Sequence, residues 1–197
     1  MKLLRGFPKR YDDAPEATGE NWMAHYRQAL ATIDSGGIVV MYGAHGTGKT
    51  RMSWELAKKC NPKDAGHNNG GLWKTSIRRE KPAIYTTAVG LFTEIRDTYR
   101  KNSEFSETQV IKKYSEAALI VIDEMQDRRD TDFEGREITG IIDARYRDAV
   151  PTILISNHSR ENFARSLSPA VIERIRENGC GLNFNWTSFR KQNTILL

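Results

Sequence analysis

The chain has 197 residues, 39% hydrophobic and 28% charged, enough for the core of one domain and a well-solvated surface. Its longest apolar run, Ala117–Ile122, is six residues and cannot cross a bilayer, and no apolar stretch of signal-peptide length follows Met1–Arg5, so no membrane partner and a cytoplasmic location are expected. Lys and Arg number 30 against 25 Asp and Glu, a net charge of +5 that permits a polyanionic partner without demanding one, while two cysteines, Cys60 and Cys180, exclude a disulfide framework and are expected as free thiols.

The first 20 residues are polar, carry Pro8, Pro15 and Gly19, and read as an extended lead-in. Trp22, Met23, Tyr26, Leu30 and Ile33 recur near helical spacing, which predicts a helix over Glu20–Ile33 that Ser35-Gly-Gly37 ends. Ile38–Tyr42 is β-branched and bounded by glycines, the mark of a buried strand, and Thr50–Cys60 then reads as helix. Asn61–Pro82 is a polar loop with a basic end at Lys74, Arg78, Arg79 and Lys81. Ala83–Thr87 and Ala117–Ile122 are expected as the second and third strands. Between them lie predicted helices over Ala88–Arg100 and Ser106–Glu116. A helix over Phe133–Arg147, a strand over Pro151–Ser156, short helices over Ser159–Leu167 and Pro169–Glu177, and a last strand over Gly181–Trp186 complete the reading. Apolar strands that alternate with helices point to an α/β fold with a parallel sheet covered on both faces.

Gly43-Ala44-His45-Gly46-Thr47-Gly48-Lys49-Thr50 fits G-x-x-x-x-G-K-[ST] and falls between a predicted strand and a predicted helix, as a phosphate loop must. Glycines let several backbone N–H groups point at one phosphate, and the helix N-terminus adds its dipole. Lys49 would meet the β- and γ-phosphates, Thr50 would offer its hydroxyl to Mg²⁺, and Arg51 would extend the nucleotide-binding stretch. The strand Ala117–Ile122 ends in Asp123-Glu124, which puts two carboxylates at the sheet edge where open α/β sheets bind ligands. Asp123 is the candidate metal ligand and Glu124 the candidate base for an attacking water. Asn157, after Ile153-Leu-Ile-Ser156, would enter the same crevice and hold the lytic water.

These motifs in this order resemble the AAA+ ATPases, in particular the core of the DnaC/DnaI-type helicase loaders, with the IstB-type transposition helpers next. Gly6-Phe-Pro-Lys-Arg-Tyr11 resembles the lead-in of that family, Leu119–Glu124 its Walker B strand, and Glu173-Arg-Ile-Arg176 its arginine-finger segment. Phe184-Asn-Trp-Thr-Ser-Phe-Arg190 is similar to the C-terminal F-N-W-x-S-[YF]-R stretch of the loaders. The resemblance implies a P-loop NTPase fold (an AAA+ core), with residues 1–34 as lead-in and first helix and 35–197 as the ATPase domain, and the 40 residues after Asn157 are expected to be too few for a separate lid domain. It implies ATP and Mg²⁺ as cofactors and Arg174 as a finger inserted into a neighbour's site, with Arg176 in reserve. Arg190 would be a second γ-phosphate contact. A DNA grip is implied near Tyr99, where Arg96, Arg100 and Lys101 are candidate contacts. On the residues alone, Arg174 and Arg176 are exposed cations on a helix.

The implied activity is that of an ATP-hydrolysing replication protein that forms a ring or helical filament, binds single-stranded DNA and acts on a replicative helicase. The alternative is a transposition helper that binds DNA and recruits a transposase. A small P-loop kinase fits less well, because a glutamate directly after the metal-binding aspartate suits water rather than an acceptor hydroxyl. A nucleotide-gated scaffold with negligible turnover stays open.

Overall fold

The computed structural model describes residues 4–11, 19–59, 81–129 and 131–189. Among them is a six-stranded sheet in the order β1-β3-β4-β5-β2-β6: β1 Leu4–Arg5, β2 Ile38–Gly43, β3 Ala83–Thr87, β4 Leu119–Asp123, β5 Thr152–Ile155 and β6 Gly179–Phe184. Every neighbouring pair is parallel. The helices are α1 Glu20–Asp34, α2 Lys49–Lys59, α3 Ala88–Asp97, α4 Glu107–Glu116, α5 Asp132–Arg147, α6 Arg160–Arg165 and α7 Pro169–Asn178.

The strand pleat sends alternate side chains to opposite faces. Ile38, Val40, Ile120, Ile122 and Leu154 therefore join a core with α3, α4, α5, α6 and α7. Val39, Met41, Leu119, Val121, Ile153 and Ile155 join a second core under α1 and α2. Each central strand is apolar on both faces, which is why the short runs lack polar alternation.

Local sequence sets the helix ends. Ser106 and Gln109 form a capping box at the start of α4. Thr87, Thr131, Ser159 and Ser168 cap α3, α5, α6 and α7, with Pro169 opening α7. Each such cap contributes about 1 kcal/mol. At the end of α1, Gly37 N–H donates to the Thr32 carbonyl at 2.8 Å and Gly36 N–H to the Ile33 carbonyl at 2.9 Å, a Schellman arrangement.

The extended lead-in goes further than expected. Leu4–Arg5 adds an edge strand beside β3, and Lys9–Tyr11 forms a 3₁₀ turn. The fully buried Arg145 donates to the carbonyls of Tyr114, Ser115, Ala117 and Pro151 and to Thr152 Oγ1, tying the end of α4 to the start of β5. After Asn157 the chain makes α6 and α7 and returns to the sheet as β6, so no separate lid domain stands among the described residues. No helix among them is long and apolar enough to cross a membrane. Cys180 is a free thiol, and Cys60 lies outside the described residues, as does most of the polar loop up to residue 80.

Candidate nucleotide site

Because all strands are parallel, their carboxyl ends share one edge. There β2 lies between β5 and β6, a point where connections leave in both directions, and open α/β sheets bind ligands at such points. The loop after β2 carries three glycines at positive φ, Gly43 at 123°, Gly46 at 76° and Gly48 at 91°, values that side-chain-bearing residues rarely adopt. Thr47 Oγ1 donates to the Ala44 carbonyl at 2.8 Å and closes the loop on itself. Lys49 Nζ lies 2.8 Å from the Gly43 carbonyl and 2.7 Å from that of Ala44, so its charge sits in the loop. α2 begins at Lys49, and its first-turn N–H groups face the same mouth. Ala44 and His45 are exposed at the rim.

The Arg51 side chain runs elsewhere. Its guanidinium pairs with Glu55, donates to the Tyr11 carbonyl at 3.2 Å and lies over the Trp54 ring. The Arg51 side chain thus fastens the lead-in to α2.

Asp123 ends β4 facing α2. Its Oδ2 accepts from Thr50 Oγ1 at 2.6 Å and from Tyr85 Oη at 2.9 Å, and its Oδ1 accepts from Glu124 N–H at 2.7 Å. Burial first, and then the Asp123 charge, holds the Tyr85 phenol well above its ordinary value, so it stays a neutral donor. Glu124 takes the left-handed conformation (φ 55°, ψ 42°), a strained backbone of the kind found at functional sites. Burial, followed by the charges of Asp123 and Asp127, raises the Glu124 carboxyl, and His45 opposes them.

The paired strands β4 and β5 bring Asn157 beside this cluster. Gln126 Oε1 accepts from Asn157 N–H at 3.0 Å and from Ser156 Oγ at 3.3 Å, linking the turn after Glu124 to the end of β5. The structure therefore gathers the loop from Gly43 to Thr50, Asp123, Glu124 and Asn157 at one edge.

The other expected residues lie apart. Arg174 Nε is 3.0 Å from Asp143 Oδ1, its Nη1 donates to the Ala170 carbonyl at 2.8 Å, and its guanidinium lies over the Tyr146 ring. It is held between α5 and α7 rather than loose on the surface, whereas Arg176 is exposed and pairs with Glu173. Arg190 lies outside the described residues. Arg96 lies 3.2 Å from the buried Glu134, whose other oxygen accepts the Arg129 N–H. Tyr99, Arg100 and Lys101 face solvent.

Sequence reasoning missed Tyr85 and Gln126. Tyr85 offered one signal, a phenol hydroxyl midway along a short strand. Gln126 offered none, because its role depends on which strand lies beside β4.

No family model matches the chain. The replicative helicase loader DnaC of Escherichia coli K12 is 29% identical over 177 residues, 88% of this chain and 65% of the relative. DnaC of Buchnera aphidicola subsp. Baizongia pistaciae is 29% identical over 150 residues, 76% of this chain and 61% of the relative. The chain thus spans less than two thirds of the length of these relatives. Among solved structures, the DnaC helicase loader superimposes with a TM-score of 0.64 at 18% identity, covering 89% of this chain and 99% of the other. DnaA of Aquifex aeolicus bound to AMPPCP gives 0.66 at 18% identity, over 90% and 51%. A DnaA bound to AMPPCP and single-stranded DNA gives 0.66 at 17%, over 92% and 52%. In sequence the chain is thus similar to DnaC replicative helicase loaders, and its fold is shared by the solved structures of DnaC and DnaA.

Proposed function

We propose that this chain binds and hydrolyses ATP and works in DNA replication as a DnaC-like helicase loader. The observation that carries the reading is the contact of Thr50 with Asp123 directly beside the phosphate loop, with Glu124 next in sequence. Two hard oxygen donors meeting there fit Mg²⁺. Among the described residues no group of three or more His, Cys, Asp or Glu is arranged to hold a metal. Thr50 and Asp123 would therefore share the ion with phosphate oxygens and water. Bound Mg²⁺ would neutralise charge building on the phosphates. Lys49 supports the same charge from the loop, Glu124 accepts the proton of the attacking water, and Asn157 orients that water.

Arg174 is the candidate finger for a neighbouring protomer's site in a ring or filament. Tyr99, Arg100 and Lys101 form the candidate grip on single-stranded DNA, with the exposed Phe105 near them in sequence. Cations there would meet phosphates and aromatic rings would stack bases. The relatives named above are helicase loaders, which favours a replicative helicase over a transposase as partner.

The test is ATP turnover with and without single-stranded DNA, together with deposition of a replicative helicase on a single-stranded circle. Nucleotide-dependent deposition is expected. ATP turnover with no effect on any helicase, but with capture of a transposase on duplex DNA, would favour the transposition reading.

A further inference from the structure

Past β6, the stretch Asn185–Phe189 crosses the phosphate loop. Trp186 Nε1 donates to the Thr47 carbonyl at 3.0 Å, and Phe189 N–H donates to the Gly46 carbonyl at 2.9 Å. The two acceptors are consecutive carbonyls of the loop. A trans peptide unit is planar, so a carbonyl and the next residue's N–H point opposite ways. No cis peptide occurs among the described residues. With the Gly46 and Thr47 carbonyls drawn toward the C-terminal stretch, the N–H groups of Thr47 and Gly48 turn away from it, toward the cradle. Those are groups that a glycine-rich loop presents to an anion.

Glycine gives this loop little stiffness of its own, since it adopts either sign of φ at small cost. The C-terminal stretch supplies the stiffness, and it is anchored. The Trp186 ring packs 4.8 Å from that of Phe184 and 5.2 Å from that of His25. His25 Nε2 lies 3.0 Å from the Asn183 carbonyl, and Gly43 pairs with Phe184 in the ladder. The Phe189 ring and the Trp22 indole crowd Gly48, where a Cβ would lie 3.2 Å from each.

We infer that Trp186 is a positioning residue of the nucleotide site, its indole N–H setting the peptide planes through which the loop binds phosphate. The inference rests on the reading of the loop as an ATP site. It concerns phosphate rather than base, so it applies equally to ATP and to inorganic pyrophosphate.

The test is Trp186→Phe in the full chain, which keeps a ring against Phe184 and His25 and removes the donor. Calorimetric affinities for ATP and pyrophosphate, kcat, KM and the ligand-free melting temperature are compared with the unmodified chain. Both affinities should fall about three- to tenfold, as for one lost hydrogen bond. KM should rise in step, with the loss confined to KM and the melting temperature unchanged. Unchanged affinity for both ligands, or a loss of affinity that only tracks a lowered melting temperature, overturns the inference. If the unmodified chain binds neither ligand better than Lys49→Ala does, the ATP-site reading itself fails. If it binds both and Trp186→Phe binds them equally well, only the role of Trp186 fails.

Discussion

Thr50 Oγ1 lies 2.6 Å from Asp123 Oδ2, so the first turn of α2 is bonded directly to the end of β4. The contact joins the phosphate loop to the carboxylate pair, and on the proposed reading a divalent cation would sit there. Thr50→Val keeps the shape and removes the oxygen. The variant should need about tenfold more Mg²⁺ or higher for half-maximal turnover, since even outer-shell changes cost 10–100-fold in metal sites. A Mg²⁺ titration checks this, and an unchanged midpoint would remove Thr50 from the metal site.

Glu124→Gln should retain bound ATP and lose turnover by about 10²–10⁴-fold, the usual contribution of a positioned base. The amide cannot take the proton, while Asp123 and the loop are untouched. Because burial and the Asp123 charge raise the Glu124 carboxyl, that carboxyl should titrate above the ordinary glutamate range in the ligand-free chain. Nucleotide binding and single-turnover hydrolysis, measured in parallel, separate the two steps.

Arg174→Ala should bind ATP normally yet hydrolyse it about 10³–10⁵-fold more slowly, the range for a finger supplied in trans. The Asp143 contact matters here, because it holds the guanidinium at a defined place between α5 and α7. Mixing Arg174→Ala with Lys49→Ala should restore part of the turnover, one protomer giving the intact loop and the other the finger. A mixture that co-assembles but stays inactive would end the trans assignment.

Asp34 gives a pH-dependent stability. Burial raises its carboxyl from the ordinary 3.8 to about 6, and its Oδ1 is buried without a hydrogen-bond partner. The residue also sits at the C-terminal end of α1, where a negative charge is disfavoured. The folded state thus holds this proton more tightly than the unfolded state does. Stability from this group is complete below about 4 and is lost as pH rises through about 6. Asp34→Asn should raise the melting temperature at pH 7–8 and leave it unchanged near pH 4, as thermal melts across pH would register.

The sequence alone determined most of the elements and the candidate residues that local spacing places at their ends. Ala83–Thr87 is a strand in the reading and, with the same bounds, strand β3 in the structure. The run from Gly43 to Thr50 leads from the end of β2 through a loop into α2, and Asp123-Glu124 stands at the end of a buried strand. Caps such as Ser106 and Ser168 are equally local, because each satisfies N–H groups within a few residues. Tertiary structure decided everything that depends on which strand lies beside which. β6 returns next to β2, and that adjacency carries Trp186 onto the loop. The pairing of β4 with β5 lets Gln126 reach Asn157, and that of β3 with β4 lets Tyr85 reach Asp123. Arg174, an exposed cation by its sequence, is held by Asp143 of α5. Periodicity and motif spacing record a residue's near neighbours along the chain. A long-range contact depends on strand order and on the reach of one side chain, and neither is written in the neighbouring residues.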